Sequence, residues 1–368
     1  MNQPTSAPAG PPRGHFFLPG PTEVHPDVLQ AQTRPMISHR GAGINALMKE
    51  LQAGLEAVFF TKRPVFIGTN SATGFMEAGV RNAGRTRVLS LVNGAFSKRF
   101  ADIAGSCGFE VDVIEVPWGE AHDPDQLADK LSGGSYDAVT MAHSETSTSV
   151  LNDIRSLAAA AAPFEDTLVL VDSVSGFGGA EVRPDEWGLD WLLTGSQKSF
   201  ALPPGLAFGV ASEKMMERAA VAPQRGYYFD LTKYAAGHEK WQSPSTPALS
   251  TMFSLQVQLE RMQAETMEAR WARHRAMAER TYAWVAENED AGLSLLAPEG
   301  HRSPCVTAIT VADGESGPRI VKAMAEKGWV IGGGYGKLKP SSFRIGHMGE
   351  HTLDELNELL GVLTEVVS

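Results

Sequence analysis

Cysteine is scarce in this chain, long hydrophobic runs are missing, and the balance of charge is acidic. Cys107 and Cys305 are the only cysteines among 368 residues, far too few for a small secreted scaffold held together by disulfides. No apolar run approaches the roughly 18–20 residues that a membrane-spanning helix needs. Lys and Arg total 32 against 43 Asp and Glu, a net charge of −11 without any basic cluster. We therefore expect neither nucleic acid nor an anionic membrane as the main partner.

The amino-terminal segment MNQPTSAPAGPPRG also lacks the basic region and apolar stretch of a secretory signal. We therefore expect a cytoplasmic protein. The prolines of this segment predict a flexible, Pro-rich tail over residues 1–15. The whole chain has 43% hydrophobic and 20% charged residues, which is ordinary globular composition. Its length suggests about two domains.

Short β-branched runs alternate with helical segments through most of the sequence. This pattern predicts an α/β fold with a mostly parallel, doubly wound sheet. From residue 248 to about residue 288 the pattern changes to a helix pair or one bent helix, and strands and helices return after it. We expect a large domain over residues 16–260 and a smaller C-terminal α/β domain over residues 261–368.

Ligands of open parallel sheets bind at the carboxyl ends of the strands, so the residues that follow the predicted strands are candidates for a site. One such segment is Thr69-Asn-Ser-Ala-Thr-Gly74, which opens a helix. Ser71, Thr73 and the free N–H groups of a helix N-terminus suit a phosphate. Serine and threonine are also the commonest helix caps, so this segment alone admits both interpretations.

Two charged residues stand at other predicted strand ends. Asp172 closes an apolar strand, where a partly dehydrated carboxylate needs a cationic or N–H partner, although a simple cap or turn residue fits equally well. Lys198 follows another strand, next to Gly195 and Ser196, and is a candidate for a desolvated amine. The hydroxyl-rich loop of residues 143–148 follows a further strand.

Taken together, these strand ends match the requirements of pyridoxal phosphate. The lysine would form the Schiff base, and the carboxylate would hold the pyridine nitrogen protonated so that the ring acts as an electron sink. The helix N-terminus would bind the phosphate.

The same segments resemble the class V aminotransferases of fold type I, which include phosphoserine aminotransferase and alanine–glyoxylate or serine–pyruvate aminotransferase. The resemblance runs from Phe17-Leu-Pro-Gly-Pro-Thr22 to Arg344-Ile-Gly-His-Met-Gly349. Its most specific parts are Val171-Asp-Ser-Val and Gly195-Ser-Gln-Lys-Ser199. It implies a fold type I PLP-transferase, a transaminase activity and pyridoxal phosphate as the cofactor.

The resemblance also implies a role for individual residues. Lys198 matches the Schiff-base lysine, and Asp172 matches the partner of the pyridinium nitrogen. The phosphate would be bound by the turn of Ser71, Ala72 and Thr73, by Gln197 next to Lys198, and by Thr246 of the partner subunit. Phe96 and Val174 would pack on the two faces of the ring. The hydroxyl of Thr146 would bind the 3-oxygen of the ring. Several family members have Trp at the position of Phe96. The match at Thr246 implies a homodimer with shared active sites.

The substrate residues are implied less specifically. Arg344 resembles the residue that binds the substrate α-carboxylate, for which a guanidinium is the natural bidentate partner; an ordinary strand arginine paired with a surface acid is the alternative. His39 and Arg40 resemble the pair that binds the substrate phosphate in phosphoserine aminotransferases, but similar pairs occur in the alanine–glyoxylate branch. Our first expectation is phosphoserine:2-oxoglutarate aminotransferase, of serine biosynthesis. The alternative is alanine–glyoxylate or serine–pyruvate aminotransferase.

Other functions fit the sequence less well. A PLP lyase of the cysteine desulfurase type needs a mobile nucleophilic cysteine, whereas Cys305 lies at the start of a predicted strand. Desulfurases also have His at the ring-stacking position, where this chain has Phe96. A catalytically inactive binding protein would not need to retain Lys198, Asp172 and Arg344.

A metal site is not expected either. His347 and His351 are four residues apart, but Gly349 and the helix cap at Thr352 separate them, so they do not share a helical face.

Overall fold

The computed structural model describes residues 10–368. The part of the predicted tail that covers residues 1–9 lies outside the described residues. The helices are α1 Pro26–Ala31, α2 Ala42–Phe59, α3 Ala72–Ala83, α4 Ala95–Ser106, α5 Pro124–Ser132, α6 Ile154–Ala161, α7 Glu213–Val221, α8 Leu231–His238, α9 Leu249–Glu265, α10 Met267–Glu287, α11 Gly317–Glu326 and α12 Leu353–Val367. The strands are β1 Phe16–Phe17, β2 Val65–Gly68, β3 Arg87–Val92, β4 Glu110–Glu115, β5 Ala138–Ala142, β6 Ser144–Glu145, β7 Val150–Leu151, β8 Leu168–Asp172, β9 Trp191–Gly195, β10 Ala207–Ala211, β11 Leu293–Leu295, β12 Thr307–Val311, β13 Val330–Gly333 and β14 Ser342–Ile345.

The main sheet has seven strands in the order β2-β10-β9-β8-β5-β3-β4. Strand β10 is antiparallel to both of its neighbours, and the other adjacent pairs are parallel. Because parallel strands need crossover connections, helices lie between most of them. The predicted α/β fold with a mostly parallel, doubly wound sheet is confirmed.

Helices cover both faces of the main sheet. Alternate side chains of a strand point to opposite faces, and the two sets enter separate cores. Val139 and Met141 of β5 pack with α2, α5, α6 and α9, whereas Ala138 packs with α3, α4, α7 and α8. With both faces covered, β8 is buried along its whole length. Its end, where Asp172 lies, is therefore a poorly hydrated place for a carboxylate.

A second sheet of five strands, in the order β1-β13-β14-β12-β11, packs against α10, α11 and α12. Two expectations about the amino-terminal region are corrected here. Strand β1 pairs with β13, so Phe16 and Phe17, at the start of the range predicted for the large domain, belong to this second sheet. His15 was predicted to end a flexible tail, but its ring stacks on Trp329 at 3.8 Å and its carbonyl accepts a hydrogen bond from the N–H of Val330. The division of the chain at residue 260 remains a prediction.

The connection between the two sheets is a pair of helices. Helix α9 ends at Glu265 and α10 starts at Met267, with Thr266 in a left-handed backbone conformation (φ 67°) between them. The hydroxyl of Thr266 accepts a hydrogen bond from the N–H of Ala269 and caps α10. Of the two predicted forms, the helix pair is the one observed. None of the helices within residues 10–368 is long and apolar enough to cross a membrane.

Candidate active site

A pocket lies at the carboxyl ends of β2, β5, β8 and β9, beside the first turns of α3 and α4. It brings together nine of the residues predicted for the site. The lining residues are Ser71, Ala72, Thr73, Met76, Phe96, Arg99, Ser144, Thr146, Asp172, Val174, Ser175, Gln197 and Lys198.

Lys198 lies in the turn after β9 and is only 7% exposed. Its amine donates a hydrogen bond to the backbone oxygen of Pro19. Burial and the nearby charge of Arg344 lower the pKa of Lys198 to about 8, although Asp172 and Glu145 act in the opposite direction. About a tenth of this amine is therefore in the neutral, nucleophilic form at pH 7, far more than for an ordinary lysine.

Gly20 packs directly on the Lys198 side chain. A Cβ atom at position 20 would lie 2.6 Å from Cε and 2.7 Å from Nζ of Lys198, and the φ of Gly20 is +89°. The backbone conformation therefore favours glycine here, and an added Cβ would displace the Lys198 side chain.

Asp172 is the last residue of β8 and is 5% exposed. Its Oδ1 accepts a hydrogen bond from the N–H of Val174 at 2.8 Å, and its Oδ2 has no donor within residues 10–368. Burial raises the pKa of Asp172 to about 7, an effect that the charge of Glu145 increases and the N–H of Val174 and Lys198 reduce. A cationic group against Oδ2 would stabilise the carboxylate form, as expected for a pyridinium partner.

The turn between β2 and α3 suits a phosphate. Ser71 is the N-cap of α3, but its hydroxyl does not cap the helix, so the first N–H groups have no side-chain acceptor. The buried Oδ1 of Asn70 also has no hydrogen-bond partner within residues 10–368. At the end of β9, a Cβ at Gly195 would lie 3.1 Å from Ala72 and 2.8 Å from Oε1 of Gln197. The glycine allows this strand end to approach the turn closely.

Phe96 and Val174 present half-buried apolar surface to the pocket. The guanidinium of Arg99 lies 4.8 Å from the centre of the Phe96 ring, and the ring of Tyr335 lies 5.2 Å from it. These distances are within the range of cation–π and aromatic contacts. The hydroxyl of Thr146 is hydrogen-bonded to that of Ser175.

Arg344 lies on β14 and is 8% exposed. Its Nε donates to the oxygen of Gly333 at 2.8 Å and its Nη1 to the oxygen of Thr146 at 3.0 Å. Within the described chain no acidic side chain forms a salt bridge with Arg344, so the alternative of a strand arginine paired with a surface acid is wrong. Burial lowers the pKa of Arg344 to about 10, which still leaves it charged at neutral pH and available to an anionic ligand.

Four predicted residues are not part of the pocket lining of a single chain: Arg344, which is hydrogen-bonded to Thr146 of the lining, and three residues that are exposed. His39 and Arg40 are exposed, and Arg40 donates to the oxygen of His39. Thr246 is also exposed, although its loop contacts the phosphate turn because the N–H of Ala248 donates to Oγ1 of Thr69.

Sequence reasoning missed several residues of the site. Gly20 lies in the segment on which the resemblance begins, but no role was assigned to it. Arg99 follows Phe96 by three residues on α4, a spacing that places both on one helix face and could have identified it. Glu145 gave no such local signal.

Cys305 lies outside the pocket lining and is fully buried. Its Sγ lies 3.8 Å from the oxygen of Gly176, and burial raises the pKa of Cys305 to about 11. A thiol in this state is not the mobile nucleophile that a desulfurase needs. Residues 10–368 contain no group of three or more His, Cys, Asp or Glu side chains that could hold a metal ion.

The sequence model of the family Aminotransferase class-V matches residues 26–349. The chain therefore belongs to the class V aminotransferases and is a PLP-dependent aminotransferase.

Individual relatives span nearly the whole chain. An L-aspartate–glyoxylate aminotransferase from Paracoccus denitrificans is 35% identical and covers 95% of this chain and 89% of its own length. The small subunit of a soluble hydrogenase from a Synechococcus species is also 35% identical, over 91% of this chain and 88% of its own. The crystal structure of alanine–glyoxylate aminotransferase from a Nostoc species superimposes with a TM-score of 0.91 at 28% identity and covers 100% of this chain and 98% of its own.

Proposed function

We propose that this aminotransferase transfers an amino group from a small amino acid, such as alanine or serine, to glyoxylate. Glyoxylate is the acceptor named for two of the similar proteins, from Paracoccus denitrificans and Nostoc. The observation that carries the proposal is the buried Arg344, unpaired within residues 10–368 and hydrogen-bonded to Thr146 of the pocket lining. The comparisons support this alternative better than our first expectation, phosphoserine, whose proposed phosphate ligands His39 and Arg40 are exposed.

We assign the cofactor contacts as follows. The uncapped N-terminus of α3 suits the phosphate, the free Oδ2 of Asp172 suits the ring nitrogen, and Phe96 and Val174 suit the two ring faces. Lys198 is the attachment point. Bound in this way, pyridoxal phosphate supplies the electron sink that makes the α-hydrogen of an amino acid acidic.

Lys198 transfers the α-proton of the donor amino acid. The free amine of Lys198 is confined to the pocket, beside the place where a donor amino acid would bind. With a pKa of about 8 it is basic enough to remove the α-proton and acidic enough to return it at the neighbouring C4′ atom of the cofactor. Arg344 orients the donor by binding its α-carboxylate, and the same contacts serve the 2-oxo acid in the reverse direction.

We also propose a homodimer in which Thr246 of each chain reaches the phosphate bound by the other. The single chain exposes several large apolar side chains of a kind that marks interaction surfaces. They are Leu29, Met36, Val221, Tyr227 and Tyr228. The hydroxyl of one of them, Tyr228, donates a hydrogen bond to the oxygen of Thr69 in the phosphate turn.

Gly20→Ala is expected to weaken pyridoxal phosphate binding by about tenfold or more, since the new methyl group would overlap the Lys198 side chain. The measurement is the dissociation constant of the cofactor from its absorbance. Gly328→Ala is the matched control, because Gly328 has a similar φ of +85° but no atom within 4 Å of the added Cβ. Equal affinities in the two variants would show that backbone strain alone, and not contact with Lys198, explains the effect.

The substrates are tested by separate half-reactions. The holoenzyme is mixed with alanine, serine, aspartate, glutamate or phosphoserine, and conversion of the cofactor to its aminated form is followed by absorbance. The aminated enzyme is then mixed with glyoxylate, pyruvate or 2-oxoglutarate. We expect rapid conversion by alanine or serine, no conversion by phosphoserine, and the fastest return with glyoxylate. Rapid conversion by phosphoserine and glutamate, with alanine inert, would contradict the proposal and return His39 and Arg40 to the active site.

A further inference from the structure

Glu145 is a buried carboxylate to which no role has been assigned above. It ends β6, directly before Thr146, and its side chain is 0% exposed. Its two oxygens accept hydrogen bonds from a set of backbone and hydroxyl donors. These are the N–H groups of Phe96, Ser97 and Ser147 and the hydroxyls of Ser97 and Ser147. A carboxylate with this many donors is held in one position.

On one side, Glu145 fixes the start of helix α4. The N-cap residue Gly94 has no side chain to cap the helix, and Oε2 of Glu145 takes that place at 3.1 Å from the N–H of Phe96 and 2.8 Å from that of Ser97. Negative charge is favourable at a helix N-terminus. A Cβ at Gly94 would lie 2.5 Å from Cδ of Glu145, so glycine is needed for this contact. The first turn of α4 carries Phe96, the proposed ring-face residue.

On the other side, the residues after Glu145 connect to the substrate end of the pocket. The carbonyl of Thr146 accepts the hydrogen bond from Nη1 of Arg344, and its hydroxyl contacts Ser175. The hydroxyl of Ser147 accepts from the N–H of Ala95 at 3.0 Å. Through three consecutive residues, the start of α4 and Arg344 are therefore held in one hydrogen-bonded unit.

The charge of Glu145 also acts on the site. It favours the protonated forms of Lys198 and Arg344, and it opposes a second negative charge on Asp172. The desolvated surroundings of these groups make such charge–charge effects larger than they would be in water.

We propose that Glu145 is a positioning residue of this active site: its carboxylate fixes the start of α4, and with it Phe96 against one face of the cofactor ring, and the adjacent Thr146 holds Arg344 in the same hydrogen-bonded unit. This inference rests on the cofactor assignments proposed above.

The test compares Glu145→Gln with Asp137→Asn. Asp137 is a matched control because it is also a buried carboxylate that accepts backbone N–H groups, those of Arg85, Thr86 and Arg87, but it lies at the opposite end of β5. Two quantities are measured for each folded apoprotein. They are the dissociation constant of pyridoxal phosphate, and the pH midpoint at which the rate of cofactor capture by Lys198 rises.

In Glu145→Gln we expect the dissociation constant to rise about tenfold or more, since the amide would oppose N–H donors with an NH2 group. We also expect the pH midpoint to fall by about half a unit, because loss of a nearby negative charge destabilises the Lys198 ammonium. Asp137→Asn is expected to lower the melting temperature and to leave both quantities unchanged.

If Glu145→Gln does not fold, the same two quantities, the dissociation constant of pyridoxal phosphate and the pH midpoint of its capture, are measured in Gly94→Ala, and the same changes are expected. The added methyl group displaces the Glu145 carboxylate, and the φ of Gly94, 173°, is ordinary extended backbone. A folded Glu145→Gln with the parent affinity and midpoint would overturn the inference, as would equal shifts in Asp137→Asn. Failure of the unsubstituted protein to bind pyridoxal phosphate would instead contradict the proposed function.

Discussion

Replacing Lys198 by alanine is expected to slow conversion of the bound cofactor by a donor amino acid by about 10⁴-fold or more. The variant loses the residue that we propose as both the attachment point of the cofactor and the base that moves the α-proton, and within residues 10–368 no other amine lines the pocket. The measurement is a single-turnover absorbance experiment with excess pyridoxal phosphate and a saturating amino donor, so that weakened cofactor binding does not limit the rate.

The control for this experiment is Lys240→Ala, which removes an exposed lysine and should retain the parent rate. A Lys198→Ala variant that keeps more than about a hundredth of the parent rate would mean that another group moves the proton. Partial rescue by added methylamine would support the assignment, since a free amine can then act as the base in the vacated space.

Asp172→Asn is expected to have the second largest effect, a fall in kcat of about 10³-fold with a much smaller change in KM. The amide is close in shape to the carboxylate but neutral, so it cannot hold a proton on the pyridine nitrogen, and the ring becomes a weaker electron sink. The comparison of kcat with KM matters because Asp172 is proposed to contact the cofactor and not the substrate.

Asp153→Asn serves as the control, since Asp153 is an exposed acid that caps helix α6. It should cost some thermal stability without changing kcat. If Asp172→Asn instead raised KM and left kcat unchanged, the carboxylate would act on the substrate, and the assignment of the ring nitrogen to this residue would be wrong.

The parts of the fold that could be predicted are those with a local pattern. Apolar runs such as β8, and their alternation with helices, define the main sheet. The candidate catalytic residues are found at the ends of such runs: Asp172 ends β8, and Lys198 lies three residues after β9. The pairing of β1 with β13 could not be predicted in this way. A two-residue strand has no periodicity, and its partner lies more than 300 residues away in the chain.

The residues of the site divide in the same way, into those that the local sequence indicates and those that it does not. Ser71, Thr73 and Thr146 follow strands and were identified by position and residue type. Glu145 was missed because its function depends on N–H groups of α4, almost 50 residues earlier, and the sequence shows only an acid in a hydroxyl-rich loop. His39 was predicted from a motif alone, and the pocket of the single chain does not include it.

We propose that amino groups move between a small amino acid and glyoxylate at the pocket around Lys198. The most direct measurement uses the holoenzyme with nitrogen-15-labelled alanine or serine and unlabelled glyoxylate, followed by mass spectrometry of the products. We expect the label to appear in glycine, at a rate that falls to background in Lys198→Ala. Labelled ammonia without labelled glycine, or no transfer from either donor, would contradict it.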